Sequence, residues 1–427
     1  MGQHTGEINL EKLKKDKYAT LKKKIFWTAL YFVSFMIGRN VPIPHLYGTF
    51  SDVNVMNTQL LNAANIATGG NFFSPSVFSL GLGPWMGAAI LWRFLFIGKI
   101  AGKRKVSEKI TNYARVALMV VLAVFQAISL MSNYQIKPLA LGPFSERMNA
   151  QILVLLVMVA GSLLVVWLAN RNEEKGLGGM TMFILYQIIS TVISNLSSLL
   201  NGSLDAEHRM MLTVIGITCI LVLILTIVAG NAELRLHVNK IGIDSGYTGR
   251  SYLPIKVNPA GASPIMYGLT LLTIPQYIIH ALILVFPGIT TGADEFFSYL
   301  TLTNPVGFHI YLVLLFGLTI FFGLFTVGPK DIAEQMKNTG DYFDFIPPGT
   351  RTRQYLRKRV VVLSMISGVF LVVFTGLPLY FMEIDQNISF LFMLPGTVMM
   401  FVSLLLVVRE EVADIMIGTK YSPIFFK

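Results

Sequence analysis

The side chains of this sequence that could do chemistry are few and scattered. Six histidines (His4, His45, His208, His237, His280, His309) show no spacing that would hold a metal ion. The paired acids Glu173-Glu174, Asp294-Glu295 and Glu410-Glu411 fall in polar segments, where the default reading is solvated charge. The single cysteine, Cys219, lies in an apolar run and can form no intrachain disulfide. There is no G-x-x-x-x-G-K-[ST] phosphate loop, no H-E-x-x-H pair and no G-x-S-x-G nucleophile elbow. Nucleophilic, metal-assisted and nucleotide chemistry therefore have no sequence support, and no cofactor is expected.

The elements around these residues are membrane-like. Of the 427 residues, 54% are hydrophobic and 13% charged, about half the charge of an average soluble domain. A helix needs about 20 mostly apolar residues to cross a bilayer. Ten segments qualify, near 25–43, 76–97, 115–134, 151–170, 180–200, 211–230, 263–287, 306–328, 360–381 and 388–408. None carries Asp or Glu at its centre, which removes the titratable groups that an ion-coupled transporter uses. Arg93 is placed to snorkel toward the interface, and His280 and His309 read as satisfied interior histidines.

Basic residues set the orientation. With both termini cytoplasmic, 29 of the 34 Lys and Arg fall on cytoplasmic segments and three (Lys137, Arg147, Arg209) outside. The net charge of +11 is then a topology signal, not a nucleic-acid footprint. The expected organisation is a basic segment 1–24, a first five-helix half 25–205, a second half 206–408 and a tail 409–427. Five spans per half place the halves in opposite orientations, the layout of an inverted repeat. Two cytoplasmic loops, 231–262 and 329–359, are longer than topology requires and are candidate docking sites. The second contains a helix-like piece at 330–338, a Pro-Pro-Gly turn and five basic residues from Arg351 to Arg359. The alternative is a solvated basic edge near anionic lipid.

One segment, "NVMNTQLLNAANIATGGNFF" (54–73), is too short and polar to cross, yet Leu60, Leu61, Ala64 and Ile66 recur at helical spacing. It reads as a short helix that folds back into the membrane, with an amphipathic surface helix as the alternative.

Four stretches, in order, resemble the SecY family of protein-conducting channels. "FSLGLGPWMGAAI" (78–90) is similar to its second helix, and "EEKGLGGMTMFI" (173–184) to the glycine-rich start of its fifth. "YLPIKVNPAGASPIMYG" (252–268) is similar to the loop and start of its seventh, and "NTGDYFDFIPPGTRTRQYL" (338–356) to the loop before its ninth. The resemblance implies an all-α integral membrane protein: ten transmembrane helices in two inverted halves, with a short re-entrant plug helix, about 54–72, before helix 2. It implies a waist ring of Leu82 and Met86 from helix 2, Leu185 from helix 5, Met266 from helix 7 and Met400 or Phe401 from helix 10. The plug would include Asn57, Leu60, Leu61, Ala64 and Ile66, and Gln126 would be a polar contact at a sideways gate. Apolar rings exclude hydrated ions by dewetting, and methionine is flexible enough to close around an irregular chain.

The family's arginine before the Pro-Gly of the 8–9 loop aligns with Pro347, and Thr181 occupies a position that is apolar elsewhere. The helix 5 start reads Gly176-Leu177-Gly178-Gly179, and the 6–7 loop reads "YTGRSYLPI" where a longer basic strand pair is usual. These departures are similar to the accessory SecY branch of Gram-positive bacteria. The resemblance then implies a plasma-membrane subunit that passes unfolded preproteins bearing signal peptides, with serine-rich glycosylated adhesins as cargo. The implied partners are a SecA-type ATPase, SecE/SecG-like membrane subunits and the lipid bilayer, with no nucleic acid. Arg250, Lys256, Arg351, Arg353 and Arg357 would face the motor. Pro254 and Pro259 lack an N–H and resist joining helix 7, so they would stiffen its joint. The competing readings are a ten-helix secondary transporter and a non-conducting membrane assembly scaffold.

Overall fold

The computed structural model describes residues 2–47, 70, 76–100, 108–131, 134–138, 145–201, 206–240, 251–285, 299–300, 302, 304–380 and 389–421. Ten long helices appear among them: α1 (Gly2–Asn40), α2 (Gly83–Ile100), α3 (Glu108–Met131), α4 (Glu146–Lys175), α5 (Gly179–Asn201), α6 (Ala206–Asn231), α7 (Ser263–Val285), α8 (Pro305–Val327), α10 (Thr350–Tyr380) and α11 (Ser389–Tyr421). A shorter helix, α9 (Pro329–Thr339), sits between α8 and α10 where the sequence predicts a helix-like piece. Each of the ten predicted spans thus overlaps a long helix, although the second, predicted from 76, is helical only from Gly83. Several helices outrun their spans: α10 begins ten residues early, so Arg351, Arg353 and Arg357 stand on its first turns and not in an open loop. Six of the helices are long and apolar enough to cross a membrane by length and composition alone.

Local chemistry explains the helix boundaries. Asn304 caps α8, its side chain accepting from the Val306 N–H, and Pro305 occupies the first turn, where no backbone donor is needed. Gly328, in the left-handed conformation at φ 58°, ends α8 and leads directly into Pro329 of α9. Ser145 caps α4 by accepting from the Met148 N–H.

Two short antiparallel ribbons depart from an all-helical expectation. Strand β1 (Leu46–Tyr47) pairs with β2 (Gln135–Ile136), and β3 (Glu233–His237) pairs with β4 (Tyr252–Lys256) in the register Leu236↔Leu253. They lie in connections, where backbone groups without helical partners must find others.

The chain divides into two compact units, 1–198 with 269–298 and 404–427, and 199–268 with 299–403. In the first, α1 and α3 both pack on α4, and α2 packs on α3. Phe35 gathers the rings of Phe78, Phe183 and Tyr186 at 5.0 to 6.1 Å. A core of Ile43, Leu46, Leu80, Ala127, Tyr134 and Met158 joins the β1–β2 ribbon to α3 and α4. In the second unit, α8 and α9 pack on α10. A separate core of Leu236, Ile255, Met336, Phe343, Leu356 and Val360 binds the β3–β4 ribbon, α9 and the base of α10 into one small module. The described parts of the two long loops therefore pack together, joined by paired backbone hydrogen bonds between Asn239 and Tyr342 at 2.9 and 3.0 Å. Outward faces remain apolar: Ile217, Ile220 and Val228 of α6 are each 60% exposed or more, as lipid-facing residues should be.

Candidate pore helices and their joints

The segment before α2 is not helical. Val77 to Leu82 form successive turns, each closed by a backbone bond to the third residue back (Ser79 N–H to Ser76, Gly81 to Phe78, Gly83 to Leu80). Gly38 of α1 and Gly161 of α4 permit this: a Cβ at Gly38 would fall 2.1 Å from the Phe78 ring, and one at Gly161 would fall 1.8 Å from the Val77 carbonyl oxygen. Leu82 closes the last turn and Met86 lies in the first turn of α2, and both are buried. On α2, a Cβ at Gly87 would lie 3.1 Å from Leu122 of α3 and 3.2 Å from Ile274 of α7, so these three helices close up here. One turn beyond Leu122, Gln126 is buried with its Oε1 lacking a hydrogen-bond partner. Such an atom in an apolar surrounding is costly and functionally suggestive.

Helix α5, which carries Leu185, starts from a latched joint. Asn172 is fully buried, and its amide donates to the carbonyls of Leu177 and Gly179, each at 2.9 Å. The Leu177 N–H donates to Thr28 Oγ1 at 2.8 Å, and the Gly178 N–H donates to Glu411 Oε2 at 2.8 Å. Glu411 Oε1 lies 4.0 Å from the Lys24 ammonium. Two distant segments (α1 and α11) and the adjoining end of α4 thus satisfy the backbone of one glycine-rich turn. Gly178 and Gly179 have φ of 69° and 45°, which glycine adopts without cost. Gly176 is required for another reason: a Cβ there would lie 2.0 Å from Asn172 Oδ1. The default reading of Glu410-Glu411 as solvated charge is corrected for Glu411, whose carboxylate is held by a backbone donor. Nothing near Glu411 or Thr28 in the sequence signals this. Asn172, polar at the end of an apolar helix just before Leu-Gly-Gly, is the legible hint.

Helix α7, which carries Met266, starts from a different joint. β4 ends at Lys256, and Val257 is held from both sides: its N–H donates to the Ala232 carbonyl at 2.9 Å, and its carbonyl accepts from Ser367 Oγ at 2.8 Å. Buried Asn258 accepts from the Gly261 N–H at 3.1 Å. Gly261 has φ of 59° with open space where a Cβ would be, so conformation alone selects glycine. Pro259 packs toward Gly323 of α8, and the Tyr267 ring stacks on Phe322 at 4.9 Å. The two prolines stand outside α7, as expected, with Pro254 in β4 and Pro259 in the turn.

Of the six expected ring residues, Leu82, Met86 and Leu185 belong to the first unit and Met266, Met400 and Phe401 to the second. Five are buried and Phe401 is half-buried, so none faces outward as the lipid-exposed residues of α6 do. Asn57, Leu60, Leu61, Ala64 and Ile66 of the expected plug, and Arg250 of the 6–7 loop, lie outside the described residues. Lys256 ends β4, and Arg351, Arg353 and Arg357 are exposed on α10.

Ten long helices among the described residues, six of them long and apolar enough to cross a membrane, fit a multi-pass helical membrane protein. The family model of SecY matches residues 76–412, and the chain belongs to the SecY family. It is similar to the accessory Sec system protein translocase subunit SecY2 of Leuconostoc gelidum, at 33% identity over 95% of this chain and 97% of that protein. The SecY2 subunit of Streptococcus gordonii is 30% identical over 94% of this chain and 98% of its own length. Among solved structures, one of a protein-conducting channel has a TM-score of 0.64 at 17% identity, covering 95% of each chain. Sec61 in the canine ribosome-channel complex has a TM-score of 0.61, again at 17% identity and 95% coverage of each.

Proposed function

We infer that this chain is the channel subunit of a protein translocase in the bacterial cell membrane, serving an accessory Sec system. Membership of the SecY family, with near-full-length similarity to two proteins named as accessory translocase subunits, carries this reading. The chemistry fits: nothing in the sequence supports a catalytic centre, and the helices that would move carry apolar side chains and flexible methionines.

Within that reading the two inverted halves (25–205 and 206–408) enclose a pore. Leu82, Met86, Leu185, Met266, Met400 and Phe401 form its constriction, and segment 54–72 caps it from outside. An apolar ring seals against ions because water leaves a narrow greasy throat, yet yields to a polypeptide that fills it. Gln126 offers a polar foothold where α2, α3 and α7 converge, so a signal peptide partitioning sideways meets one hydrogen-bonding group in an apolar seam. Both termini face the cytoplasm, supported by the distribution of Lys and Arg. Energy comes from a SecA-type ATPase docked on the 231–262 and 329–359 loops, including Arg250, Lys256, Arg351, Arg353 and Arg357. SecE/SecG-like subunits complete the assembly, and the cargo is a serine-rich glycosylated adhesin.

The test is ion leakage. Met86→Gly with Leu185→Gly, reconstituted in liposomes, is expected to raise resting ion conductance several-fold over wild type. A non-conducting scaffold would show no leak, and a secondary transporter would lose solute uptake instead.

A further inference from the structure

The module formed by the two cytoplasmic loops ends in a feature that its own packing does not explain. Phe345 is fully exposed, at 105% of its reference area, and it has a φ of 60°. A side chain in the left-handed region costs roughly 1–2 kcal/mol, and an aromatic ring in water adds no burial in return. The turn is nevertheless firmly built. Phe343 and Ile346 bridge across it, with the Ile346 N–H donating to the Phe343 carbonyl at 3.0 Å. Buried Phe343 anchors it from below against the Tyr355 ring, 5.4 Å away. The Asn239 side-chain amide donates to Asp344, while its backbone pairs with Tyr342. On the far side, Thr352 Oγ1 donates to the Pro347 carbonyl at 2.9 Å. Packing thus over-determines a backbone conformation whose outcome is to hold one phenyl ring away from the body.

We infer that Phe345 is an apolar anchor that inserts into a pocket on a cytosolic protein partner, with Tyr342, Pro347 and Pro348 as the surrounding contact. The partner's pocket would be lined by apolar side chains and rimmed by carboxylates that face Arg351, Arg353 and Arg357. This rests on the reading of the loop module as the docking face of the motor. Two observations favour a protein over the bilayer as occupant. The turn is held by the hydrogen bonds just described, and preorganisation raises affinity for a shaped pocket but gives nothing in a fluid apolar phase. The ring stands six residues before Arg351, and both it and the arginines at the start of α10 are exposed; an aromatic anchor with charged residues near it is the composition of a binding hot spot with a polar rim.

The experiment measures binding of the purified SecA-type ATPase of the same organism to the full-length chain in nanodiscs of phosphatidylethanolamine and phosphatidylglycerol. Phe345→Gly relieves the positive φ, so the fold is kept, and it is expected to weaken binding about 30-fold with an unchanged salt dependence. Phe345→Trp is expected to stay within about threefold of wild type. Arg351→Gln, Arg353→Gln and Arg357→Gln together should flatten the salt dependence instead. If Phe345→Gly binds as wild type while the arginine variant does not, the anchor is wrong and the docking face stands. If wild-type chain fails to bind the ATPase, or neither variant changes binding, both fall. A bimane on Phe345→Cys in a Cys219→Ala background reports the other occupant. Quenching by brominated lipid without the ATPase would place the ring in the bilayer and overturn the proposal.

Discussion

The joints that start α5 and α7 face the same problem and solve it with different means. Each must turn a chain that has ended one element into a long apolar helix, with its backbone groups protected from an apolar surrounding. Each uses a buried asparagine and a glycine at positive φ. At α5 the asparagine is a donor, bridging two carbonyls, and the turn is completed by side chains 149 and 233 residues away. At α7 the asparagine is an acceptor for the third residue on, and the other bonds come from Ala232, just before β3, and from Ser367 of α10. The α5 joint is anchored among helices and includes a carboxylate. The α7 joint is neutral and continuous with the exposed module that carries Phe345. Val257 bonds the α7 joint to the segment before β3 and to α10, whereas the α5 joint is bonded only among helices.

The largest contrast should come from the glycines. Gly176→Ala drives a Cβ into Asn172 and Thr28 and is expected to cost about 3 kcal/mol, seen as a lower midpoint in thermal scans of the detergent-solubilised protein. Gly261→Ala meets nothing and should cost about 1 kcal/mol, from φ alone. Equal losses would mean that the steric distinction between the joints is unreal.

Next come the asparagines. Asn172→Ala strips the donor from two buried carbonyls and is expected to cost about 2–3 kcal/mol, against about 1 kcal/mol for Asn258→Ala, whose amide partner can find water. The same thermal scans decide it, and a reversed order would make the α7 joint the rigid one.

The smallest effects concern charge. Glu411→Ala removes the side-chain acceptor of the Gly178 N–H and should cost about 1.5 kcal/mol, with Glu411→Gln losing about half as much. Lys24→Met should change stability by less than about 0.5 kcal/mol, because that ion pair is long and partly solvated. A Lys24 effect as large as that of Glu411 would shift the weight of the latch from the hydrogen bond to the ion pair.

Much of this architecture was legible in one dimension. The lengths of the apolar runs located the long helices, and Asn304-Pro305 and Gly328-Pro329 mark boundaries because caps and φ restrictions act within a few residues. The prolines of the 6–7 loop stayed out of α7 for the same local reason. The α10 start was misplaced because hydropathy reports where lipid begins, not where a helix begins, and Arg351 to Arg359 are good helix formers in water. The strand pairs escaped because five-residue ribbons in polar connections have little periodicity to read.

By itself the sequence determined where the long apolar helices fall along the chain, since burial in hydrocarbon demands long apolar runs. Only the tertiary structure decided which polar groups would complete one another: Glu411 with Gly178, Thr28 with Leu177, Asn239 with Tyr342 and Asp344. A hydrogen bond between residues far apart in the chain leaves no local pattern, because its energy depends on distances that exist only after the helices have packed.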